Sequence, residues 1–405
     1  MIWLCARNRA SEAVRNAPRL ITKINYLIII SLLLLSIIAC TPPRRVSAEE
    51  RVFRSVSLEF LDAYEIPATR YEDTVVGGLS AITYDREQNC YYVLSDDRSD
   101  RAPARFYTLK IDVKQSDEGM AISPEATRFA IDDVTINKVT FLKDEKGNEY
   151  AAGTIDPEGI VLSPRRTLLI ASEGNPTQNV APFIGEFDLQ TGQKILDIPV
   201  PQRYLTEGEP TKGIRDNLAF ESLTVTQTGL LKDDPFRLFT ATESALTQDL
   251  SEAESARIRF LHYTINSVGN PVLLAEHLYL LEPAPVEVIS NGLTELLALT
   301  KEGYFLSLER TFGLTGAGAK IFQVVVGNAT DTSGFNNLKE ITGIQPLKKK
   351  LILNLQDLDI DLDNLEGMTV GSRLPDGSRS LILISDNNFN EQQVNQLLLF
   401  RLAAN

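Results

Sequence analysis

Short apolar runs recur in pairs along the chain, and acidic residues stand at similar places beside them. In the clearest pair, residues 158–162 lead to residues 169–173, with a Glu at the start of the first run and another just after the second. Comparable pairs are residues 218–225 with 239–243, 364–370 with 381–386, 77–82 with 92–96, and, more weakly, 292–296 with 305–309. Apolar runs of this length, bounded by Gly, Pro, Asn and Asp, predict buried strands joined by hairpins.

This repetition predicts a radial arrangement, because one hairpin is not stable alone in water whereas several equivalent ones can cover each other's faces. The first acids of four copies are Glu158, Glu221, Glu295 and Glu366, separated by 63, 74 and 71 residues. A propeller blade usually spans about 40 to 50 residues, so the spacing indicates insertions or blades without the signature. Strand-like runs also stand near both ends of the chain. The sequence therefore predicts an all-β fold, a β-propeller of about five or six blades closed by its N- and C-terminal strands.

The repeat also predicts where its acids lie, since equivalent positions in successive blades fall on one ring around the axis. Glu158, Glu221 and Glu366 are expected to converge at the mouth of the central channel. Such carboxylates repel one another unless they are solvated, paired with Arg or bound to a cation, and Ca²⁺ accepts six to eight oxygen ligands. The predicted metal ligands are Glu158, Glu173, Glu221, Glu243, Glu366 and Asp386.

Two chemical routes follow from this ring, and we expect Glu158, Glu221 and Glu366 to be the catalytic residues. A bound divalent cation could activate a water and polarise an ester, or a carboxyl of raised pKa could act as a general acid or base. Arg98 and Arg310 follow repeat acids and suit phosphate or carboxylate oxygens, although they could equally serve to neutralise the ring. The predicted ligand-binding residues are Arg98, Arg310, Asn175 and Asn387.

A simpler interpretation is that these acids belong only to turns, where Asp, Glu, Asn and Gly are common. Turns do not require Glu, however, and Glu followed by Gly or Ser and then Ile, Leu or Met begins three of these repeats. That recurrence favours a functional role.

The first 39 residues differ in pattern from the rest of the chain. Basic residues precede an apolar run of 14 residues from Tyr26 to Ala39, which is short for a membrane span, and Cys40 follows at once. We therefore predict a lipoprotein signal peptide at residues 1–39, lipidation of Cys40, a tether at residues 40–51 and a propeller domain at residues 52–405. A plain secretory signal or an uncleaved anchor are the alternatives.

The charge of the chain limits its partners. Loss of residues 1–39 would remove five basic residues and one acidic residue, taking the net charge from −14 to −18. An acidic body repels nucleic acid and anionic membrane surfaces. We expect a monomer with a small-molecule substrate or ligand, no nucleic-acid partner, membrane association through the lipid alone, and a place at the periplasmic or extracytoplasmic face of a bacterial cell envelope.

Several other chemistries are disfavoured by residue usage. The two histidines, His262 and His277, lie outside the repeat signature, which argues against a zinc site with several His ligands. We find neither a Gly-x-Ser-x-Gly elbow nor a phosphate-binding Gly-rich loop, so no organic cofactor is expected. In the mature chain Cys90 has no partner for a disulfide and is predicted to be a small core residue.

Two segments interrupt the repeat. Residues 247–259 have a helical composition and predict a helix that crosses the top face. Residues 357–363 alternate acidic and aliphatic side chains, so a strand there would present four carboxylates on one face. That face could bind cations or simply be solvated, and the solvated face is the preferred interpretation.

The acidic segments together resemble a known family. They are residues 156–160 (Asp-Pro-Glu-Gly-Ile), 220–224 (Phe-Glu-Ser-Leu-Thr), 241–244 (Ala-Thr-Glu-Ser), 364–368 (Asn-Leu-Glu-Gly-Met) and 385–389 (Ser-Asp-Asn-Asn-Phe). This set resembles the bacterial phytase-like domain, also called the esterase-like activity of phytase family, over roughly residues 53–402. The resemblance implies a hydrolase directed at phosphoesters or esters. The chain lacks the denser acidic pattern by which β-propeller phytases bind several Ca²⁺ ions.

The leading hypothesis is an envelope-anchored propeller with an acidic axial site and divalent-metal-dependent hydrolysis of a phosphoester or ester, with Ca²⁺ as the expected cation. Two alternatives remain open from the sequence. One is a non-catalytic propeller that binds a ligand or a protein, and the other is a Ca²⁺-dependent lactonase.

Overall fold

The structure, a computed structural model, describes residues 47–116, 128–206, 208, 211–251, 255–285, 287–314, 316–339 and 341–404. The chain divides into two compact units, Met1–Val52 and Phe53–Asn405. The described part of the first unit contains one short helix, α1 (Ala48–Val52), which begins in the region predicted as a tether and ends at the first residue of the predicted propeller domain. The predicted signal peptide and Cys40 lie outside the described residues. Over the described ranges, no helix has the length and apolar character needed to cross a membrane.

The second unit is built almost entirely from β-strands. Its first strands are β1 (Val56–Ile66), β2 (Thr69–Tyr71) and β3 (Thr74–Val76), of which β2 and β3 form a small hairpin. Blade 1 comprises β4 (Leu79–Asp85), β5 (Cys90–Ser95), β6 (Arg105–Ser116) and β7 (Arg128–Phe141). Blade 2 comprises β8 (Pro157–Leu162), β9 (Thr167–Ser172), β10 (Phe183–Asp188) and β11 (Lys194–Ile198). The remaining strands continue the same pattern of four antiparallel strands to a sheet.

Blade 3 comprises β12 (Phe220–Gln227), β13 (Phe236–Thr242), β14 (Arg257–Ile265) and β15 (Val272–Leu280). Blade 4 comprises β16 (Val288–Ala298), β17 (Tyr304–Gly313), β18 (Gly316–Val325) and β19 (Lys348–Asn354). Blade 5 comprises β20 (Asn364–Arg373), β21 (Arg379–Asp386) and β22 (Asn395–Ala404), with β1 as its outer strand. Short 3₁₀ turns cover Pro176–Gln178, Gln202–Tyr204, Thr247–Asp249 and Leu355–Leu358.

The five blades form a closed ring. The inner strands β4, β8, β12, β16 and β20 each pack beside the next, and β20 packs against β4. The ring is fastened by β1, which runs antiparallel to β22 from the pair Val56–Ala404 to the pair Ile66–Asn395. The prediction of a β-propeller closed by N- and C-terminal strands is confirmed, with five blades.

The apolar core lies between the blades, which explains the continuous apolar runs of the sequence. In β9, the side chains of residues 168–171 are all fully buried. Leu169 and Ala171 belong to a cluster shared with blade 3, whereas Leu168 and Ile170 belong to a cluster shared with blade 1. Because successive side chains of a strand point to opposite faces, a strand covered on both faces needs apolar residues at every position. Cys90 is buried in β5, as predicted.

Every inner strand carries a β-bulge at the same level. The pairing register with the second strand shifts by one residue around Ser80, Glu158, Glu221, Thr294 and Glu366. A bulge leaves one residue without a direct partner and re-aims its side chain. In blade 4 the residue in this position is therefore Thr294, and the sequence alignment that placed Glu295 beside the other glutamates was wrong by one residue.

Two element predictions were also wrong. The described part of residues 247–259 contains a 3₁₀ turn at Thr247–Asp249 and the start of β14 at Arg257, with no α-helix. The alternating segment 357–363 contains the end of a 3₁₀ turn and a loop that precedes β20, and no strand.

Candidate metal-binding site on the propeller axis

The strand register defines two rings of side chains around the axis. The bulge ring contains the five bulged residues, namely Ser80, Glu158, Glu221, Thr294 and Glu366. The second ring lies on the second strand of each blade. One residue of that strand pairs with the residue just before the bulge, and the next residue along the second strand belongs to the ring. Its members are Asp96, Glu173, Glu243, Arg310 and Asp386. Seven of these ten positions are acidic; blade 1 provides Ser80 in the bulge ring, and blade 4 provides Thr294 and Arg310 and no acid.

The rings surround a cavity of about 160 Å³. It is lined by Asp96, Arg98, Glu158, Asn217, Glu221, Arg310, Phe312, Asn364, Glu366, Asp386, Asn388 and Gln393. These residues come from all five blades or the loops that join them. The cavity therefore lies where the repeat places its acids, and Phe312 is the one apolar side chain among its lining residues.

Three acids of blade 2 come especially close to one another. One carboxylate oxygen each from Asp156, Glu158 and Glu173 lies within 4.8 Å of the other two. Oxygen atoms at this separation can share one cation, because Ca²⁺ binds its oxygen ligands at about 2.3–2.6 Å.

Several carboxylate oxygens of the site are buried without a hydrogen-bond partner among the described residues. They are Asp96 Oδ1, Asp156 Oδ2 and Glu221 Oε2. A buried carboxylate oxygen without a protein donor is costly. This arrangement fits a site in which a cation supplies the missing contact.

The electrostatics of the site favour bound protons when no cation is present. Burial, followed by the charge of neighbouring acids, raises the pKa of Glu158, Glu173, Glu221 and Asp386 well above the usual carboxyl range. Burial also raises the pKa of Glu366 to about 8, and those of Asp96 and Asp156 to about 6. A divalent cation would relieve the same repulsion that these protons relieve.

Two arginines compensate part of the negative charge. Arg98 donates from Nε to Asp156 Oδ1 at 2.6 Å and from Nη2 to Asn217 Oδ1 at 2.7 Å. Arg310 donates from Nη2 to Glu243 Oε1 at 2.9 Å, and its Nη1 hydrogen-bonds Asn364 and lies 3.8 Å from Glu366 Oε1. Within the part of the chain that the structure describes, Arg310 Nε is buried without a partner, so one donor of this guanidinium remains unused there.

Close packing around the axis explains the glycine that follows two of the bulged glutamates. A Cβ at Gly159 would lie 2.1 Å from the backbone oxygen of Glu221 in the next blade. A Cβ at Gly367 would lie 3.0 Å from the Cα of Ala81. The Glu-Gly pair of the repeat thus combines a cavity residue with a position where neighbouring backbones meet.

Six of the residues predicted for the site line the cavity. They are Glu158, Glu221, Glu366, Asp386, Arg98 and Arg310. Glu173 and Glu243 are buried beside it, where Glu173 accepts the Ala219 N–H and Glu243 pairs with Arg310.

Asn175 and Asn387 are placed differently from the prediction. Asn175 Oδ1 accepts the N–H of Gln178 and caps a 3₁₀ turn, whereas Asn387 Oδ1 accepts the N–H groups of Gly78 and Phe389. Neither is among the lining residues, and the neighbouring Asn388 is. Both side chains therefore organise loops next to the cavity.

The structure adds residues that the sequence analysis did not select, chiefly Asp96, Asp156, Asn217, Asn364 and Asn388. Asp96 stands in the same repeat position as Glu173, Glu243 and Asp386, so the repeat itself carried the signal that could have identified it. Asp156 and Asn364 each lie two residues before a bulged glutamate. Asn217 has a left-handed backbone with φ of 56°, and the sequence gives no sign that it reaches Arg98.

These features define a five-bladed β-propeller with a buried, strongly acidic site on its axis. The chain belongs to the phytase-like family described as esterase-like activity of phytase, whose sequence profile matches residues 74–389. No curated protein gives a significant sequence match.

Solved structures share the general architecture at low identity. An endo-arabinase from Bacteroides thetaiotaomicron VPI-5482 is 12% identical over 80% of this chain and 93% of its own, with a TM-score of 0.38. The Neurospora crassa Pan2 WD40 domain is 7% identical over 86% of this chain and 97% of its own, with a TM-score of 0.32. The catalytic domain of the Coprinopsis cinerea GH62 α-L-arabinofuranosidase is 9% identical over 86% of this chain and 97% of its own, with a TM-score of 0.35.

Proposed function

We propose that the protein is a divalent-metal-dependent hydrolase of a phosphoester or ester, with its site in the axial cavity. The proposal rests on the buried oxygens of Asp96, Asp156 and Glu221 that have no hydrogen-bond partner in the described ranges of the chain. Membership of the phytase-like family supports hydrolysis as the reaction class.

The residues that would hold the cation are those whose oxygens are crowded or unpartnered. Asp156, Glu158 and Glu173 form one group, and Glu221, Glu366 and Asp386 line the cavity opposite or beside them. All are hard oxygen donors, which suits Ca²⁺ better than a soft transition metal. When bound, such a cation would lower the pKa of a coordinated water and polarise an ester oxygen.

The chain's own residues would bind the substrate and transfer protons. The Arg98 side chain is about one-third exposed at the cavity and can donate to an anionic oxygen. Arg310 lines the same cavity, and its Nε–H has no partner among the described residues. Burial raises the pKa of Glu366 to about 8 in the metal-free site, so Glu366 would exchange its proton for the cation, and the ionised carboxylate could then accept a proton from an attacking water.

The proposal is tested first by thermal melting in EDTA and then with Ca²⁺. Ligation by the folded state must raise the melting temperature, by an amount equivalent to about 2.7 kcal/mol at a hundredfold excess over the Kd. Glu221→Gln should abolish most of that rise. Glu295→Gln is the matched control, because Glu295 is buried in the neighbouring blade, where its Oε1 accepts the N–H groups of Leu223 and Leu296.

The chemistry is tested with p-nitrophenyl phosphate, bis-p-nitrophenyl phosphate, p-nitrophenyl esters and lactones. We expect Ca²⁺-dependent turnover of a phosphoester or ester that falls at least about a hundredfold in Glu158→Gln and Glu221→Gln. Stabilisation by Ca²⁺ with no turnover would favour a ligand-binding propeller, and turnover of lactones alone would favour a lactonase. Full activity in both variants would contradict the proposed site.

We further propose that the protein is a monomer held at the periplasmic or extracytoplasmic face of the bacterial envelope by a lipid on Cys40. The support is the basic segment, the apolar run and the Cys that ends it. Cys40→Ser should move the protein from the membrane fraction to the soluble fraction on cell fractionation. Retention of that variant in the membrane fraction would contradict lipid anchoring at this residue.

A further inference from the structure

In blade 4, the second strand extends beyond the level at which the second strands of the other four blades end. The residues paired just before the bulge are Ser95, Ser172, Thr242, Glu309 and Ser385 in blades 1 to 5. Strands β5, β9 and β13 stop at that residue and β21 stops one residue later, whereas β17 continues four residues further to Gly313. The hairpin of β17 and β18 therefore stands beside the mouth of the cavity.

This extension places one aromatic ring at the cavity. Two residues beyond the second ring, the five blades carry Arg98, Asn175, Ala245, Phe312 and Asn388. Arg98, Phe312 and Asn388 line the cavity, Asn175 caps its own turn and Ala245 is buried. The mouth thus has an aromatic wall on blade 4 and polar groups from blades 1 and 5.

The ring of Phe312 has room for a partner. Its pairing neighbours across the sheet are Ser290 on β16 and Ala317 on β18, both of which are small. The residue is 39% exposed. Ile289 and Leu314, at the tip of the same blade, are also exposed large apolar residues. An apolar surface that continues directly from a polar cavity is a common arrangement in small-molecule sites.

We propose that Phe312 is a specificity-determining residue that packs against an apolar, preferentially aromatic, substituent of a substrate whose anionic group enters the axial cavity. This inference rests on the proposed function and narrows its substrate class. The cavity, of about 160 Å³, accommodates one small charged group with its cation. The rest of the substrate must therefore leave the cavity past the mouth, where Phe312 stands.

The test uses two non-hydrolysable anions with the same head group, phenylphosphonate and methylphosphonate, titrated calorimetrically into the full chain saturated with Ca²⁺. Burying a phenyl ring against Phe312 should make phenylphosphonate bind about tenfold more tightly than methylphosphonate. In Phe312→Ala the two should bind within about twofold of each other, and Phe312→Tyr should keep the preference.

Phe335→Ala is the matched control, because Phe335 is also 39% exposed and is not a lining residue of the cavity. This variant should keep the tenfold preference, and the Ca²⁺-induced rise in melting temperature should be the same in every variant, which shows that each one folds.

The outcomes separate the two proposals. A Ca²⁺ response with equal binding of the two phosphonates, with no phosphonate binding, or with a preference that survives in Phe312→Ala, overturns this inference and leaves the metal site standing. Absence of any Ca²⁺ response in the wild-type protein overturns the proposed function, and this inference fails with it.

Discussion

The glycine after Glu158 is a residue at which the architecture has little tolerance for a side chain. A Cβ there would lie 2.1 Å from the Glu221 backbone oxygen, and backbone cannot move aside as a flexible side chain can. We expect Gly159→Ala to lower the free energy of unfolding by about 3 kcal/mol, at the upper end for overpacking. Gly334→Ala, at a site with no heavy atom within 4 Å of the added Cβ, should change it by less than about 0.5 kcal/mol.

Chemical denaturation of the two variants measures this difference. Equal denaturation midpoints for the two variants would show that Gly159 does not lie against the Glu221 backbone, so that the inner strands of blades 2 and 3 are further apart. The bulged residues of these blades would then not form the ring around the axis.

The sequence identified glutamates of the bulge ring because they recur beside apolar runs, but it could not show the bulge. Glu158, Glu221 and Glu366 line the cavity, whereas Glu295 is buried one position further along its strand. Counting from apolar runs cannot distinguish Thr294 from Glu295, since the extra residue of a bulge shifts the alternation by one. In the sequence, Arg310 is recognisable only as the residue after Glu309. The strand register shows that Arg310 occupies the position at which the other blades carry the acid of the second ring.

The outer strand of blade 5 is the element on which closure of the ring depends. Strand β1 covers the edge of β22, Phe60 contacts Phe400 at a centroid distance of 5.5 Å, and Glu59 pairs with Arg401. Without β1, β22 becomes an exposed edge, which invites aggregation.

We therefore expect a chain that begins at Ser47 to melt as the full chain does, and a chain that begins at Pro67 to melt at least about 10 °C lower or to aggregate. Circular dichroism melting with size-exclusion chromatography makes the comparison. A shortened chain from Pro67 with an unchanged melting temperature would contradict fastening by β1.

Strands were predicted better than the segments between them. A strand covered on both faces needs a continuous apolar run, and that signal is strong, as residues 168–171 show. The prediction of a helix at residues 247–259 was wrong because these residues form a turn and the start of a strand instead. In that arrangement Asp249 accepts two buried hydrogen bonds from Arg259. Asp363, predicted in a strand face, accepts the N–H of Val394 in the neighbouring loop. Both contacts join residues that are separated in the sequence, and the alternation of polar and apolar residues alone does not reveal such contacts.

For the molecule as a whole, the raised pKa values predict an unusual pH dependence. The buried carboxyls hold protons in the folded, metal-free state that the unfolded chain has already released near pH 4 to 5. The folded state therefore binds more protons, and its stability falls as the pH rises through the folded pKa values, including that of Glu366 at about 8. In EDTA, we expect the protein to melt at least about 5 °C higher at pH 5 than at pH 8.

Ca²⁺ should reverse this trend, because it competes with the protons for the same oxygens. Calorimetric melting at pH 5, 6, 7 and 8 with EDTA and with Ca²⁺ measures both effects, and Glu366→Gln should flatten the slope in EDTA. A metal-free melting temperature that rises steadily from pH 5 to pH 8 would contradict the electrostatic description of the cavity.

The number of blades illustrates the limit of sequence analysis for the molecule as a whole. The spacing between repeats exceeds that of a usual blade, which left five or six blades open. The structure shows that the excess lies in long strands such as β16 and β17 of blade 4 and in inserted segments such as the one between β18 and β19. The number of residues between repeat glutamates is the same whether the extra residues lengthen the strands, form inserted loops or make up a further blade.

The most direct test of the axial metal site is a crystal structure of the protein grown in Ca²⁺, with anomalous data collected at long wavelength. We expect an anomalous peak in the axial cavity, with carboxylate oxygens from Glu158, Glu221 or Glu366 and their neighbours about 2.3–2.6 Å from it. Absence of a peak there at saturating Ca²⁺, with these side chains in contact with water alone or turned toward separate parts of the molecule, would contradict it.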